Sequence, residues 1–170
     1  MTKLVFIGGP MGVGKSTVTH LLCSECAQSV MLDGDWCWFQ GDKEWDFSDK
    51  TKQMALNNIA YLLNSFLQNK AFDTVFFCWV LHEASLEASL LNRLTKPFDF
   101  YHFSLICTPD VLKKRIFNRA GLTENQKEAQ WKRAQERLSE CRELKTMLLD
   151  TSDLTAVDVC QMIKERIHAD

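Results

Sequence analysis

Apolar residues along this chain fall into two alternating rhythms. Short unbroken runs such as Leu4-Val5-Phe6-Ile7 and Val75-Phe76-Phe77-Cys78-Trp79-Val80 are set off by glycine, proline or polar residues, and between such runs apolar positions recur every three or four residues. Unbroken runs suit strands covered on both faces, whereas the wider spacing suits helices with one buried face. The pattern predicts strands over about 4–7, 29–32, 74–80, 100–107 and 146–149. It predicts helices over 16–23 with Val18, Leu21 and Leu22 on one face, and then over about 51–69, 83–94, 109–119 and 123–144. A last helix places Val157, Cys160, Ile163 and Ile167 together. Thr108-Pro109 is a helix start, with threonine as cap and proline in the first turn. Strands alternating with helices predict an α/β fold with a mainly parallel sheet.

Between the first strand and the first helix stands Gly9-Pro10-Met11-Gly12-Val13-Gly14-Lys15-Ser16, the pattern G-x-x-x-x-G-K-[ST]. Glycines let the backbone bend so that several N–H groups converge on an anion, at a helix N-terminus whose free N–H groups also favour negative charge. Lys15 adds a mobile cation for the β- and γ-phosphates, and the Ser16 hydroxyl is placed to ligate Mg²⁺. Gly9, Met11, Gly12, Val13, Gly14, Lys15, Ser16 and Thr17 are therefore candidate ATP contacts. A strand before the loop and a helix after it supply the setting the motif needs, and set it apart from a chance glycine-rich turn.

Composition changes this picture little. The 170 residues are 46% hydrophobic and 25% charged, which predicts one domain with a real core. A net charge of -2 gives no reason to expect nucleic acid or an anionic membrane as partner. No apolar run reaches the length of a bilayer span, and the early first strand leaves no room for a signal peptide. Seven cysteines, mostly within apolar stretches, suit buried free thiols in a reducing cytoplasm. Cys23-x-x-Cys26 has no second pair to complete a metal site, so packing in the first helix is its expected role. Oligomeric state is left open.

Ligands of open parallel sheets bind at the carboxyl ends of strands. Asp33-Gly34-Asp35 ends the second strand, on the same edge as the phosphate loop. Either aspartate could hold Mg²⁺ or take the proton of an attacking hydroxyl, and the triplet could equally be a simple turn. Asp33 is assigned to the metal with Ser16, and Asp35 to the acceptor. Trp36, Trp38, Phe39 and Trp45 follow, either as a stacking surface or as a small core under a loop. The third strand ends in Cys78 and Trp79, with His82 beyond, and carries no aspartate there. Trp79 and His82 are candidate acceptor contacts, though His82 could instead cap the next helix. Arg115 and Arg119 share a helix face at i, i+4 and are candidate ATP contacts that stabilise the transferring phosphoryl group. Arg133 and Arg137 repeat the spacing beyond the Gly121 break, as a lid or as a solvated face paired with nearby glutamates.

These residues resemble the small phosphate-loop kinases: shikimate and gluconate kinases, chloramphenicol phosphotransferase and nucleoside monophosphate kinases. Gly9 to Ser16 matches their ATP loop, Asp33-Gly34-Asp35 resembles their aspartate motif after the second strand, and Leu112 to Arg119 is similar to their Arg-x-x-x-Arg helix. Asp150-Thr151-Ser152 resembles the segment that lies against adenine, making Thr151 and Ser152 candidate contacts. The resemblance implies a three-layer fold with a five-stranded parallel sheet of order 2-3-1-4-5. It also implies a helical substrate-binding insertion at about 36–70 and a lid at about 119–130. The chain lacks a glycine triplet after the third strand and a cysteine cluster in the lid. Between 36 and 70 its basic residues are Lys43, Lys50, Lys52 and Lys70.

The expectation is an ATP- and Mg²⁺-dependent kinase acting on a hydroxyl of a small molecule. Lys15, Asp33, Asp35 and Arg119 form its catalytic set. The alternatives are a nucleoside or nucleotide kinase, with the aromatic segment against a base, and an ATP-binding regulatory module without an acceptor. The nearest guanine-reading sequence, Asn69-Lys70-Ala71-Phe72-Asp73, is one residue too long and lies before the third strand.

Overall fold

A computed structural model describes residues 1–41 and 46–169. Five strands form one sheet in the order β2-β3-β1-β4-β5, every pair parallel. They are β1 (Lys3–Gly8), β2 (Ser29–Asp33), β3 (Thr74–Cys78), β4 (Asp99–Ile106) and β5 (Met147–Asp150). The helices are α1 (Lys15–Glu25), α2 (Asp49–Gln68), α3 (Ala84–Leu91), α4 (Pro109–Phe117), α5 (Glu124–Glu143) and α6 (Ala156–His168), with a 3-10 turn at Gly34–Cys37 after β2.

The unbroken apolar runs follow from the layering. Along β1, Val5 and Ile7 enter one core with α1, α4, α5 and α6, while Leu4 and Phe6 enter the other with α2 and α3. Both faces are covered, so no position of the strand needs to be polar. Thr108 caps α4 with Pro109 in its first turn, and α5 and α6 each begin in a capping box, Thr123 with Gln126 and Thr155 with Asp158.

Some boundaries differ from the sequence pattern. β3 stops at Cys78, leaving Trp79 and Val80 free to turn toward the ligand edge. On α6, Val157 is exposed and Val159 joins Cys160, Ile163 and Ile167, because at the helical period Val159 lies nearer the centre of their stripe than Val157 does. Among the described residues no helix is long and apolar enough to cross a membrane. All seven cysteines are free, and Cys78, Cys107, Cys141 and Cys160 are buried.

Candidate nucleotide and acceptor site

β1 is the middle strand, and its C-terminal end delivers the loop directly into α1. Gly9 and Gly12 adopt φ of 138° and 83°. A Cβ on Gly9 would meet the Leu105 carbonyl at 2.5 Å, and one on Gly12 would meet Ile116 at 2.7 Å, so glycine is required at both by conformation and by space. The Lys15 ammonium donates to the Pro10 carbonyl at 2.8 Å, across the mouth of its own loop. Burial lowers its pKa from the ordinary lysine value, against the opposing pull of Cys78, Asp35, Cys141 and Asp33.

Asp33 closes the far side. Its Oδ2 accepts from Ser16 Oγ at 2.8 Å and from the Cys78 thiol at 3.4 Å, and its Oδ1 accepts from the Asp35 amide at 3.0 Å. The register places Cys78 directly beside Asp33 on the neighbouring strand. Burial, then the Asp33 charge, push the Cys78 thiol up to about 12, so it stays a neutral donor. No local spacing encodes this bond, because the pairing of β2 with β3 creates it.

Asp35 is exposed and reaches the same crevice. Its Oδ1 accepts from Trp79 Nε1 at 3.0 Å. The Trp79 ring meets Trp38 edge-on, with centroids 6.0 Å apart, and lies so close over Gly34 that a Cβ there would come within 2.5 Å of it. Trp79 thus lines the crevice, whereas Trp38 stands behind it. Trp36 is 57% exposed, beside His20, and is not part of the crevice wall. His82 is turned away as well: its ring bonds the Val80 carbonyl and pairs with Glu83, and Glu83, not His82, stands at the N-cap of α3. Phe39 is 78% exposed, and Trp45 and Lys43 lie outside the described residues.

The two arginines at i, i+4 have separate tasks. Arg115 donates to the carbonyl of Val13 at 3.1 Å, to Thr151 Oγ1 at 2.9 Å and to the Thr151 carbonyl at 2.7 Å, tying the phosphate loop to the turn after β5. Arg119 lies beyond the end of α4, lines the crevice and bonds Gln130 of α5 at 3.2 Å. Arg133 is exposed and Arg137 pairs with Glu140 at 2.8 Å, and neither lines the crevice. Beside the loop a second hollow, walled by Val13, Thr17, Thr151, Leu154 and Val159, joins the first at Gly14, Thr17 and Arg115. Its apolar walls suit a flat base. Ser152 is outside it, bonded to Asp150 and to the Thr108 amide. Leu154 and Val159 escaped sequence reasoning because their spacing marks only a core face.

Ser16 and Asp33 offer hard oxygen donors side by side, which fits Mg²⁺, an ion held by one or two protein ligands plus phosphates and water. Among the described residues no cluster of three or more His, Cys, Asp or Glu side chains is arranged to hold a metal unaided.

A family model described as AAA domain matches residues 5–136. No match was found among curated proteins. Solved structures similar to this chain include the Deinococcus radiodurans tunicamycin resistance protein, at 18% identity and TM-score 0.71, covering 98% of this chain and 96% of that one. A gluconokinase from Sinorhizobium meliloti 1021 is similar at 16% identity and TM-score 0.69, covering 98% and 95%. A shikimate kinase from Acinetobacter baumannii in complex with shikimate is similar at 20% identity and TM-score 0.61, covering 99% and 94%. The likeness is one of fold: an all-parallel five-stranded sheet with the phosphate loop at the end of its middle strand, as the sequence resemblance implied.

Proposed function

The chain belongs to the AAA domain family, and on that premise we propose that it transfers the γ-phosphoryl group of ATP to a hydroxyl of a small molecule, with Mg²⁺. The observation that carries this reading is the Ser16–Asp33 pair, set between the phosphate loop and an exposed second carboxylate, Asp35. A gluconokinase and a shikimate kinase share the fold, which supports a small-molecule acceptor.

The backbone N–H groups of Gly9 and of residues 11–17 cradle the phosphates, and the adenine lies in the hollow by Thr151, Leu154 and Val159. Lys15 leaves Pro10 to neutralise the β- and γ-phosphates. Ser16 and Asp33 would hold the metal, whose positive charge would offset the charge developing on transfer. Asp35 orients the acceptor hydroxyl and takes its proton. The acceptor oxygen bonds to the γ-phosphorus as the bond from that phosphorus to the β–γ bridging oxygen breaks, and ADP leaves. Asp33 is unsuited to the base role, since both its oxygens are occupied by donors. Arg119 stabilises charge on the transferring group, and the segment at about 119–130 acts as the lid, with Arg115 fixing the base hollow to the loop. A cytoplasmic setting belongs to the same reading.

The test is ATP consumption with Mg²⁺ against sugars, antibiotics, hydroxy acids, nucleosides and nucleotides, with products identified by mass, and with Asp33→Asn and Asp35→Asn alongside. Turnover of one acceptor, lost in Asp35→Asn, is expected. Tight ATP binding without transfer to any acceptor would favour a binding module, and product from nucleotides alone would make it a nucleotide kinase.

A further inference from the structure

Two histidine–glutamate pairs bracket the turn that follows β3. His82 sets Nδ1 at 2.9 Å from the Val80 carbonyl and Nε2 at 3.1 Å from the Glu83 carboxylate. His102, on β4, sets Nδ1 against the Glu87 carboxylate of α3. Its Nε2 is buried and has no hydrogen-bond partner among the described residues. That nitrogen and the Leu81 carbonyl border the same small space, at 2.8 and 3.3 Å from where a Cβ on Gly8 would stand. The Cys141 thiol meets the Leu81 carbonyl at 4.0 Å, a contact long enough to admit a closer donor.

Every one of these ring partners is an acceptor. A neutral imidazole carries one N–H and one lone pair, so it serves one acceptor and turns a lone pair on the other. An imidazolium carries two N–H groups and serves both. The surroundings of each ring therefore match its protonated form. The turn between the two rings carries Trp79 and Val80, which wall the crevice beside Asp35. It is tight, with the Leu81 amide on the Trp79 carbonyl at 2.9 Å, so a hold on Val80 and Leu81 is passed on to Trp79.

We propose that the turn at 79–83 is a proton-operated clasp. When His82 and His102 each take a proton from solvent, their nitrogens grip Val80, Glu83, Glu87 and Leu81 together and hold the Trp79 wall still; loss of the protons loosens it. A histidine ordinarily changes charge between about pH 5 and 8, so the clasp works in that range. Phe6 of β1 and Phe100 of β4 pack on the His102 ring and bring no charge. From α5 the Cys141 thiol faces the turn, and burial pushes it up to about 11, so it stays neutral. Lys15, Glu140 and Arg137 act on that thiol and are themselves engaged, Lys15 by Pro10 and the other two by each other. What the clasp does to an acceptor rests on the function proposed above; the clasp itself does not.

The experiment is hydrogen exchange on the purified chain from about pH 5 to about pH 8, without nucleotide or acceptor, with rates corrected for the intrinsic effect of pH. The probes are the Trp79 and Leu81 amides, which bond Ile7 and Trp79, and the Trp79 indole N–H on Asp35. Their protection should fall about tenfold as pH rises, the usual effect of losing one hydrogen bond to a charged group. The Val5 and Phe6 amides of β1 should change little. Glu83→Gln and Glu87→Gln give each ring an amide N–H, so a neutral imidazole is then matched on both sides. The double variant should keep at high pH the protection that the parent has at low pH. Protection independent of pH in the parent overturns the clasp, as does a fall shared equally by β1, which would report global stability. A fall that persists in the double variant overturns its assignment to these pairs. Since no ATP is present, none of these results bears on phosphoryl transfer, which stands or falls on the acceptor assay.

Discussion

The Ser16 hydroxyl donates to Asp33 Oδ2 at 2.8 Å, joining the last residue of the phosphate-loop motif to the last residue of β2, which β3 separates from β1 in the sheet. The same oxygen accepts from Cys78, at the end of β3. A single carboxylate thus gathers donors from α1 and β3 and from its own turn. The end of β3, which carries no aspartate, holds a neutral thiol that orients Asp33 instead of adding charge.

Asp33→Asn should sharply raise the Mg²⁺ concentration needed for ATP turnover, because one of two hard donors loses its charge. Cys78→Ala should leave the charge and loosen its aim. Loss of an outer partner typically costs about tenfold or more in metal affinity. Titrating Mg²⁺ against turnover checks both, and an unchanged Mg²⁺ requirement in Cys78→Ala would remove the positioning role.

Lys15→Ala should lower kcat by about a hundredfold or more, as loss of one preorganised charge contact at a transferring group does. Thermal unfolding should change little, since among the described residues Lys15 bonds just the Pro10 carbonyl of its own loop and burial already disfavours its charge. Normal turnover in this variant would sink the phosphotransfer scheme.

The layout of the fold was legible because Leu4 to Ile7 and Val75 to Phe77 are apolar without a break, and only strands covered on both faces use residues that way. The phosphate loop was legible because a backbone cradle dictates glycine. Pairings across strands were not. Trp79 on Asp35 and Cys78 on Asp33 arise from the β2–β3 register, which no local spacing encodes. Arg115 and Arg119 looked alike because helical spacing was extended through both. α4 ends at Phe117, so Arg119 leaves the helix face while Arg115 remains on it and turns toward Thr151. Trp36 and His82 lie close in sequence to the ends of β2 and β3, but the chain's turns there carry both out of the crevice wall.

Gly34→Ala should destabilise by about 1–3 kcal/mol, the usual cost of overpacking. Its Cβ would come within 2.5 Å of Trp79 Cγ, and the ring is held by Asp35 and Trp38. Adding Trp79→Leu should recover most of that loss. Denaturant unfolding of both single variants and the double variant measures the coupling, and additive losses would show that Gly34 and Trp79 do not compete for space.

Asp150 accepts from the amide and hydroxyl of Ser152, and these bonds hold its pKa below the ordinary value of 3.8. A carboxyl with a depressed folded pKa contributes stability that is present above its unfolded pKa and is lost as pH falls through the folded one. Asp150→Asn should therefore flatten the stability profile below about pH 4 and leave its slope near neutrality unchanged. Melting temperature against pH for both proteins checks this.

Arg115→Lys should fail to replace arginine. One guanidinium serves the Val13 carbonyl, the Thr151 hydroxyl and the Thr151 carbonyl together, and an ammonium on a flexible stem lacks that fork. Bonds to a charged group contribute roughly 1.5–3 kcal/mol each, and a half-buried site such as this keeps part of that. The loss should register twice, as a lower melting temperature and as ATP-analogue binding weakened by about tenfold, because the same bonds keep the base hollow aligned with the loop. If Arg115 served only the chemical step, Arg115→Ala would lower kcat while leaving both the melting temperature and analogue affinity at the parent's values. The two outcomes separate a brace between loop and hollow from a charge on the transferring group.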